Sequence, residues 1–372
     1  MSELALVFLK LGTIAFGGPA AHIAMMQDEF VRKRRWISEQ DFLDRLAAAN
    51  LIPGPSSTEL GIFVGYSKRG WRGLLIAGCC FILPAAMLVT LIAAAYVRFG
   101  TMPQVNGILY GIKPAVIAIV VQAVWNLSRT AAKTRLLAAI GVTALAVSLY
   151  GLSPLLVLAF SAFVSAGWWS VARQSRGLLS VAIVKRAGVM AALVGSTAAV
   201  PVSLLRLFLS FLKIGSVVFG SGYVLLAFLR TEFISRLHWL TEKQLIDAVA
   251  VGQFTPGPVF TTATFIGYLV GGMRGAVLAT TGIFLPGFLF VALSGPLIPG
   301  IRRSPVASAI LDGVVAGSLG LMAAVAWQLG RAAVIDAPTL VILAVSLFLL
   351  LRYRINSAWL VGGAALAGWL IS

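Results

Sequence analysis

The run F-L-K-L-G-T-I-A-F-G-G-P, Phe8 to Pro19, returns as F-L-K-I-G-S-V-V-F-G-S-G from Phe211 to Gly222, 203 positions later (211 − 8). The same corner closes each copy, Pro53-Gly54-Pro55 in the first and Pro256-Gly257-Pro258 in the second. Between run and corner, Glu29, Phe30, Trp36, Glu39 and Asp44 meet Glu232, Phe233, Trp239, Glu242 and Asp247 without a gap. One residue is then lost and the match continues 202 positions apart, so that Gly65-Tyr66 meets Gly267-Tyr268, Arg72-Gly73 meets Arg274-Gly275, and Leu83-Pro84 meets Leu285-Pro286. The chain is a tandem duplication. It divides into a first membrane repeat over 1–173, a linker over 174–202 and a second membrane repeat over 203–372.

Composition places both copies in lipid. Of 372 residues, 59% are apolar and 11% charged, where a soluble domain carries about a quarter charged. Mean hydropathy is +0.97, and several windows exceed the roughly 20 apolar residues that cross a bilayer. Such long apolar runs exclude a barrel of short alternating strands. The expected fold is an all-α polytopic membrane protein with about 10–13 membrane segments. Spans are expected over 74–97, 105–127, 136–151 and 154–172, and again over 275–297, 305–329, 337–351 and 356–371. The N-terminus lacks the basic region and small-residue cleavage site of a signal peptide, so the first apolar segment is expected to stay.

The net charge of +17 sits in short loops between spans. Those loops are too short for a nucleic-acid domain, and the excess follows from the positive-inside rule. In the first copy the rich loops are 32–35, 67–72, 129–135 and 173–186. In the second copy they are the counterparts of the first copy's poor turns, at Arg302-Arg303 and Arg352/Arg354. This swap predicts two inverted-topology repeats with broken and re-entrant helices. Breaks are expected at Gly17-Gly18-Pro19 and at Gly220-Ser221-Gly222. The helix 40–50, the proline corner and the helix 56–66 read as a re-entrant hairpin, with Ser38 capping its start.

Cys79 and Cys80 are adjacent and form no disulfide framework. His22 and His238 have no neighbouring ligand, so no metal site is expected. No phosphate loop, nucleophile elbow or cofactor fingerprint is present, which argues against an enzyme and for a protein needing no cofactor.

Phe16-Gly17-Gly18-Pro19, Trp36 with its following acidic helix, Asn50-Leu51-Ile52-Pro53-Gly54-Pro55, Gly65-Tyr66, Arg72-Gly73 and Leu83-Pro84 resemble the chromate ion transporter family. The two-copy form is similar to its long-chain bacterial members. The resemblance covers most of the chain and implies a proton-motive-force-dependent chromate efflux carrier of the bacterial plasma membrane (inner membrane), giving chromate resistance. Gly220-Ser221-Gly222 departs from the Gly17-Gly18-Pro19 form, so the two breaks need not share a shape. Sulfate or another oxyanion stays an alternative substrate, an anion channel an alternative mode, and a homodimer an open assembly.

A tetrahedral dianion cannot enter hydrocarbon without partners. Broken helices offer backbone N–H groups and positive dipole ends. The expected substrate ligands are therefore Gly17, Gly18, Gly54, Ser56, Ser57 and Thr58 in the first copy. In the second they are Gly220, Ser221, Thr255, Gly257, Thr261 and Thr262, with Thr264 nearby. Asn50 and Gln253 hold equivalent places as amide donors, and Lys10 and Lys213 hold equivalent places as cations inside apolar helices. Glu29, Glu232, Glu59 and His22 are proton-coupling candidates, with Asp44 and Asp247 similar. Glu59 has no acidic counterpart, since the second copy has Thr262 there. Protons and the lipid bilayer are the other expected partners.

Overall fold

The computed structural model describes residues 1–16, 18–100, 102–131, 133–174, 202–219, 224–294, 305–353 and 355–371. Those residues are helical throughout their regular structure, without a strand among them. The first copy runs α1 (Ser2–Ile14), α2 (Gly18–Gln27), α3 (Glu39–Ala49), α4 (Ser56–Phe99), α5 (Pro103–Ala131), α6 (Arg135–Leu149) and α7 (Pro154–Gln174). The second runs α8 (Leu204–Val217), α9 (Leu225–Leu229), α10 (Glu242–Phe254), α11 (Thr262–Ser294), α12 (Pro305–Ala333), α13 (Ala337–Tyr353) and α14 (Ser357–Ile371). Five of these helical stretches are long and apolar enough to cross a membrane, and α6, α13 and α14 are shorter apolar helices. The chain is an all-α polytopic membrane protein. Most of the linker, 175–201, lies outside the described residues, as do Arg302 and Arg303.

The duplication is repeated in three dimensions. After α2 and after α9 the chain widens into a π-helical turn, Asp28–Lys33 and Arg230–Arg236. Each turn ends on a left-handed non-glycine residue, Arg35 at φ 51° and His238 at φ 54°. Aromatic stacks brace both turns. Phe30 lies 5.3 Å from Phe8 and 5.5 Å from Trp36; Phe233 lies 4.9 Å from Phe211 and 6.1 Å from Trp239. Side chains then start the next helices: the Ser38 hydroxyl accepts from the Asp41 N–H at 3.0 Å, and Thr241 with Gln244 forms a full capping box.

The expected short helix after the first corner runs a little further than 66. It turns at Arg69-Gly70 and continues as the span inside α4; α11 turns likewise at Gly271-Gly272. Gly70 at φ 56° and Gly272 at φ 60° hold conformations that L side chains disfavour. Across each turn the two limbs touch backbone to backbone, Gly65 on Gly73 and Gly267 on Gly275. A Cβ on Gly65 would collide with the Gly73 carbonyl and the Ala77 side chain. Gly65→Leu is therefore expected to prevent the hairpin from closing and to remove the folded protein from the membrane fraction. Gly70→Ala has open space around it, and its φ of 56° with ψ of −143° lies close to a region essentially reserved for glycine, so the change is expected to cost about 1–3 kcal/mol of backbone strain, measured as thermal stability in detergent.

The halves interlock. α5 of the first copy packs along α13 and α14 of the second, and α12 of the second packs along α6 and α7 of the first. Polar contacts follow the same exchange. Gln122 on α5 donates to the Leu350 carbonyl at 3.0 Å, Tyr110 on α5 donates to Asp336 before α13 at 2.6 Å, and Lys133 meets Asp312 on α12 at 3.5 Å.

Candidate functional site

Each proline corner ends on the broken helix of the other half. The Gly54 N–H donates to the Val218 carbonyl at 2.7 Å, and the Gly257 N–H donates to the Ala15 carbonyl at 2.9 Å. Val218 and Ala15 are themselves equivalent (15 + 203 = 218), and both are the last residues where α8 and α1 give out. The pairing is thus reciprocal. Both corner glycines have positive φ, 136° at Gly54 and 89° at Gly257, which the flanking prolines and a required backbone donor leave to glycine.

At the first corner α4 starts directly after Pro55. The N–H groups of Thr58 and Glu59 fold back to the Pro55 carbonyl at 2.7 and 3.1 Å, so those of Ser56 and Ser57 stand outside intrahelical bonding. Ser56, Ser57 and Thr58 are all buried. His22, 1% exposed, bridges this corner to the break. Its Nε2 lies 3.0 Å from the Ala15 carbonyl and its Nδ1 3.3 Å from the Ser57 hydroxyl. A carbonyl only accepts, so Nε2 carries the proton and Nδ1 accepts from Ser57. Ala15 O therefore holds both the imidazole and the opposite corner. The Thr58 hydroxyl and both Glu59 carboxylate oxygens are buried with no hydrogen-bond partner among the described residues.

At the second corner the chain makes a single 3-10 turn, Val259–Thr261, before α11. The hydroxyls expected to face an anion are turned onto the backbone here. Thr255 donates to Val251 O, Thr261 to Pro258 O and Thr262 to Val259 O, each at 2.8 Å, and Thr264 pairs with Thr280 at 2.7 Å. Those hydroxyls keep lone pairs but not their donors. Gln253 is buried with its amide nitrogen unpartnered among the described residues, whereas its counterpart Asn50 is exposed. Of the breaks themselves, Gly18 begins α2 at φ 77°; Gly17, Gly220 and Ser221 lie outside the described residues.

The remaining sequence candidates sit apart from the corners. Glu232 is held by Ser210 at 2.9 Å, Lys213 at 3.2 Å and Arg236 at 3.0 Å. Glu29 is held by Arg34 at 2.7 Å, which also reaches Glu3 at 2.6 Å. These carboxylates brace the two π-helical turns. Lys10 is exposed on α1 and makes no hydrogen bond or ion pair among the described residues.

One polar cluster joins Asp247, a proton-coupling candidate in the sequence, to two residues of the other copy. Asp247 on α10 is fully buried; it accepts from the Tyr96 hydroxyl at 2.8 Å and pairs with Lys113 on α5 at 3.4 Å. Tyr96 and Lys113 belong to the first copy and Asp247 to the second. The counterpart Asp44 is only half-buried, on α3. A lysine in the middle of the 105–129 span was the available signal, because a lone cation at that depth requires a counter-charge.

The model described as chromate transporter matches residues 2–166 and again residues 205–369. The chain belongs to the chromate transporter family. The two matches start 203 residues apart (205 − 2), the same interval as the internal repeat. The transporter is 34% identical to the chromate transport protein of Cupriavidus metallidurans, over 99% of this chain and 92% of that one. It is 32% identical to the chromate transport protein of Pseudomonas aeruginosa, over 98% and 91%. It is 31% identical to a probable chromate transport protein of Synechococcus elongatus, over 92% and 88%. No solved structure matches it. Family and helices together make it a multi-pass bacterial membrane transporter and not an enzyme.

Proposed function

We propose that the protein exports chromate by alternating access, holding the dianion between the two proline corners of inverted repeats. One observation carries this reading: each corner is hydrogen-bonded to the broken helix of the opposite half, so any rearrangement of one half against the other moves both corners together. The corners present helix starts and backbone N–H groups, the groups that replace an anion's hydration. The first corner supplies the Ser56 and Ser57 N–H groups and the Thr58 hydroxyl. The second supplies backbone N–H groups and the Gln253 amide, its threonine donors being directed to carbonyls.

The electrical part of the proton-motive force suffices to drive export. An anion leaving an inside-negative cell gains about 2.3 kcal/mol per 100 mV for each net negative charge that crosses with it. The test is chromate uptake into energised everted vesicles, with and without excess sulfate. Uptake above that of vesicles lacking the protein, stopped when the membrane potential is collapsed, is expected. Equal uptake with and without the protein overturns the reading. Suppression by sulfate would extend the substrate to tetrahedral oxyanions generally.

A further inference from the structure

Among the described residues Glu59 is the one carboxylate placed at either corner, and the fold makes room for it. Position 287 on α11 is the counterpart of position 85 on α4 (85 + 202). At the second corner Ala85 fills that place: a Cβ on Gly257 would lie 2.7 Å from the Ala85 Cβ. At the first corner the corresponding residue is Gly287, and the vacated space takes the Glu59 carboxyl. Its Oε1 lies 3.4 Å from where a Gly287 Cβ would stand, and it also abuts Gly54. Glu59 is 0% exposed, and both its oxygens lack a hydrogen-bond partner among the described residues. A carboxylate left ionised in such a place would be uncompensated, and it would repel a dianion at the same corner.

Charged and titratable groups on the elements packed around it are few and turned elsewhere. α1 carries Glu3, paired with Arg34, and the exposed Lys10; α2 carries His22, bonded to Ala15 and Ser57. α3 carries Asp41 with Arg45, the exposed Glu39 and the half-buried Asp44. α10 carries Asp247, paired with Lys113, Glu242, paired with Arg230, and Lys243, which meets Asn106 at 3.3 Å; α11 carries Tyr268 and Arg274, both near the far kink.

Resting on the chromate reading above, we propose that Glu59 is a proton-binding site linked to the oxyanion: the anion occupies the corners only with Glu59 protonated, so one proton travels with each dianion. The protonated carboxyl then serves as a neutral O–H donor beside the Thr58 hydroxyl. The transported unit carries one net negative charge, and a membrane potential drives it outward while an inward proton gradient opposes it.

The experiment measures chromate binding and proton uptake together, on the purified full chain in weak buffer from neutrality upward, where chromate is the dianion. Wild type is expected to take up one proton per chromate bound on the alkaline side. Its affinity should fall about tenfold per pH unit there, as one linked proton requires. Glu59→Gln keeps the shape and the neutral charge but cannot titrate; its binding should become independent of pH, without proton uptake. In reconstituted vesicles the charge moved per chromate should double from one in wild type to two in Glu59→Gln. Equal proton uptake and equal charge per chromate in the two proteins overturn the proposal while leaving chromate as substrate. Wild type that neither binds nor moves chromate overturns the substrate reading, and this proposal with it.

Discussion

Gly257→Leu is expected to bring chromate flux in everted vesicles down to background while the protein stays at normal levels in the membrane. Three features of one residue give this result. Its φ of 89° is a conformation that L side chains rarely adopt. A Cβ there would lie 2.7 Å from the Ala85 Cβ and 3.2 Å from the Gly12 carbonyl. Its N–H is the donor to Ala15 O, an acceptor shared with His22. Relieving the clash means withdrawing the second corner from the break of the first half. A displacement of about 1 Å in groups that position a substrate is enough for a hundredfold loss. Gly70→Ala, strained but remote from both corners, serves as the control and should transport. Wild-type flux through Gly257→Leu would remove the corners from the transport path.

Asp247→Ala and Lys113→Met are each expected to destabilise the folded protein by about 3–5 kcal/mol, because each leaves its partner as an uncompensated buried charge. Replacing both at once with leucine should recover most of that loss, since burying a charge pair in low dielectric gains little over packed hydrocarbon. Tyr96→Phe removes a single bond to a charged acceptor and should cost about 1.5–3 kcal/mol. Thermal unfolding in detergent of the two singles, the double and Tyr96→Phe measures these directly. A double variant less stable than either single would show that the pair itself, and not the relief of an orphaned charge, sustains the fold.

The sequence revealed the features that are local. The repeat is a matter of identity at a fixed interval, and the spans over 74–97 and 305–329 stand out because their apolar runs need no partner to be recognised. The break before Pro19 and the hairpin ahead of Pro53 follow from proline and glycine chemistry within a few residues. Glu59 attracted notice because its counterpart is Thr262. Contacts between distant parts of the chain left no such trace. The Tyr96 hydroxyl meets Asp247 of the other half, and Lys113 passed unnoticed inside an apolar run. The hydroxyls of Thr261 and Thr262 looked like ligands for an anion, but a threonine two or three residues past a turn can equally close onto a carbonyl, and here both do. The π-helical widening of both second helices has no local signature either; it is set by the stacked aromatics and by Glu29 and Glu232.

The exchange of helices between halves also sets an order of events during biosynthesis. α5 leaves the ribosome long before the segments it finally packs against, and Lys113 precedes Asp247 by 134 residues (247 − 113). At ordinary elongation speeds of about 5–20 residues per second, that lysine waits roughly 7–27 s for its counter-charge. During that interval its stem must reach for headgroups or water. The first half thus enters the bilayer as an unfinished object, and the arrival of α10, then α13 and α14, completes it.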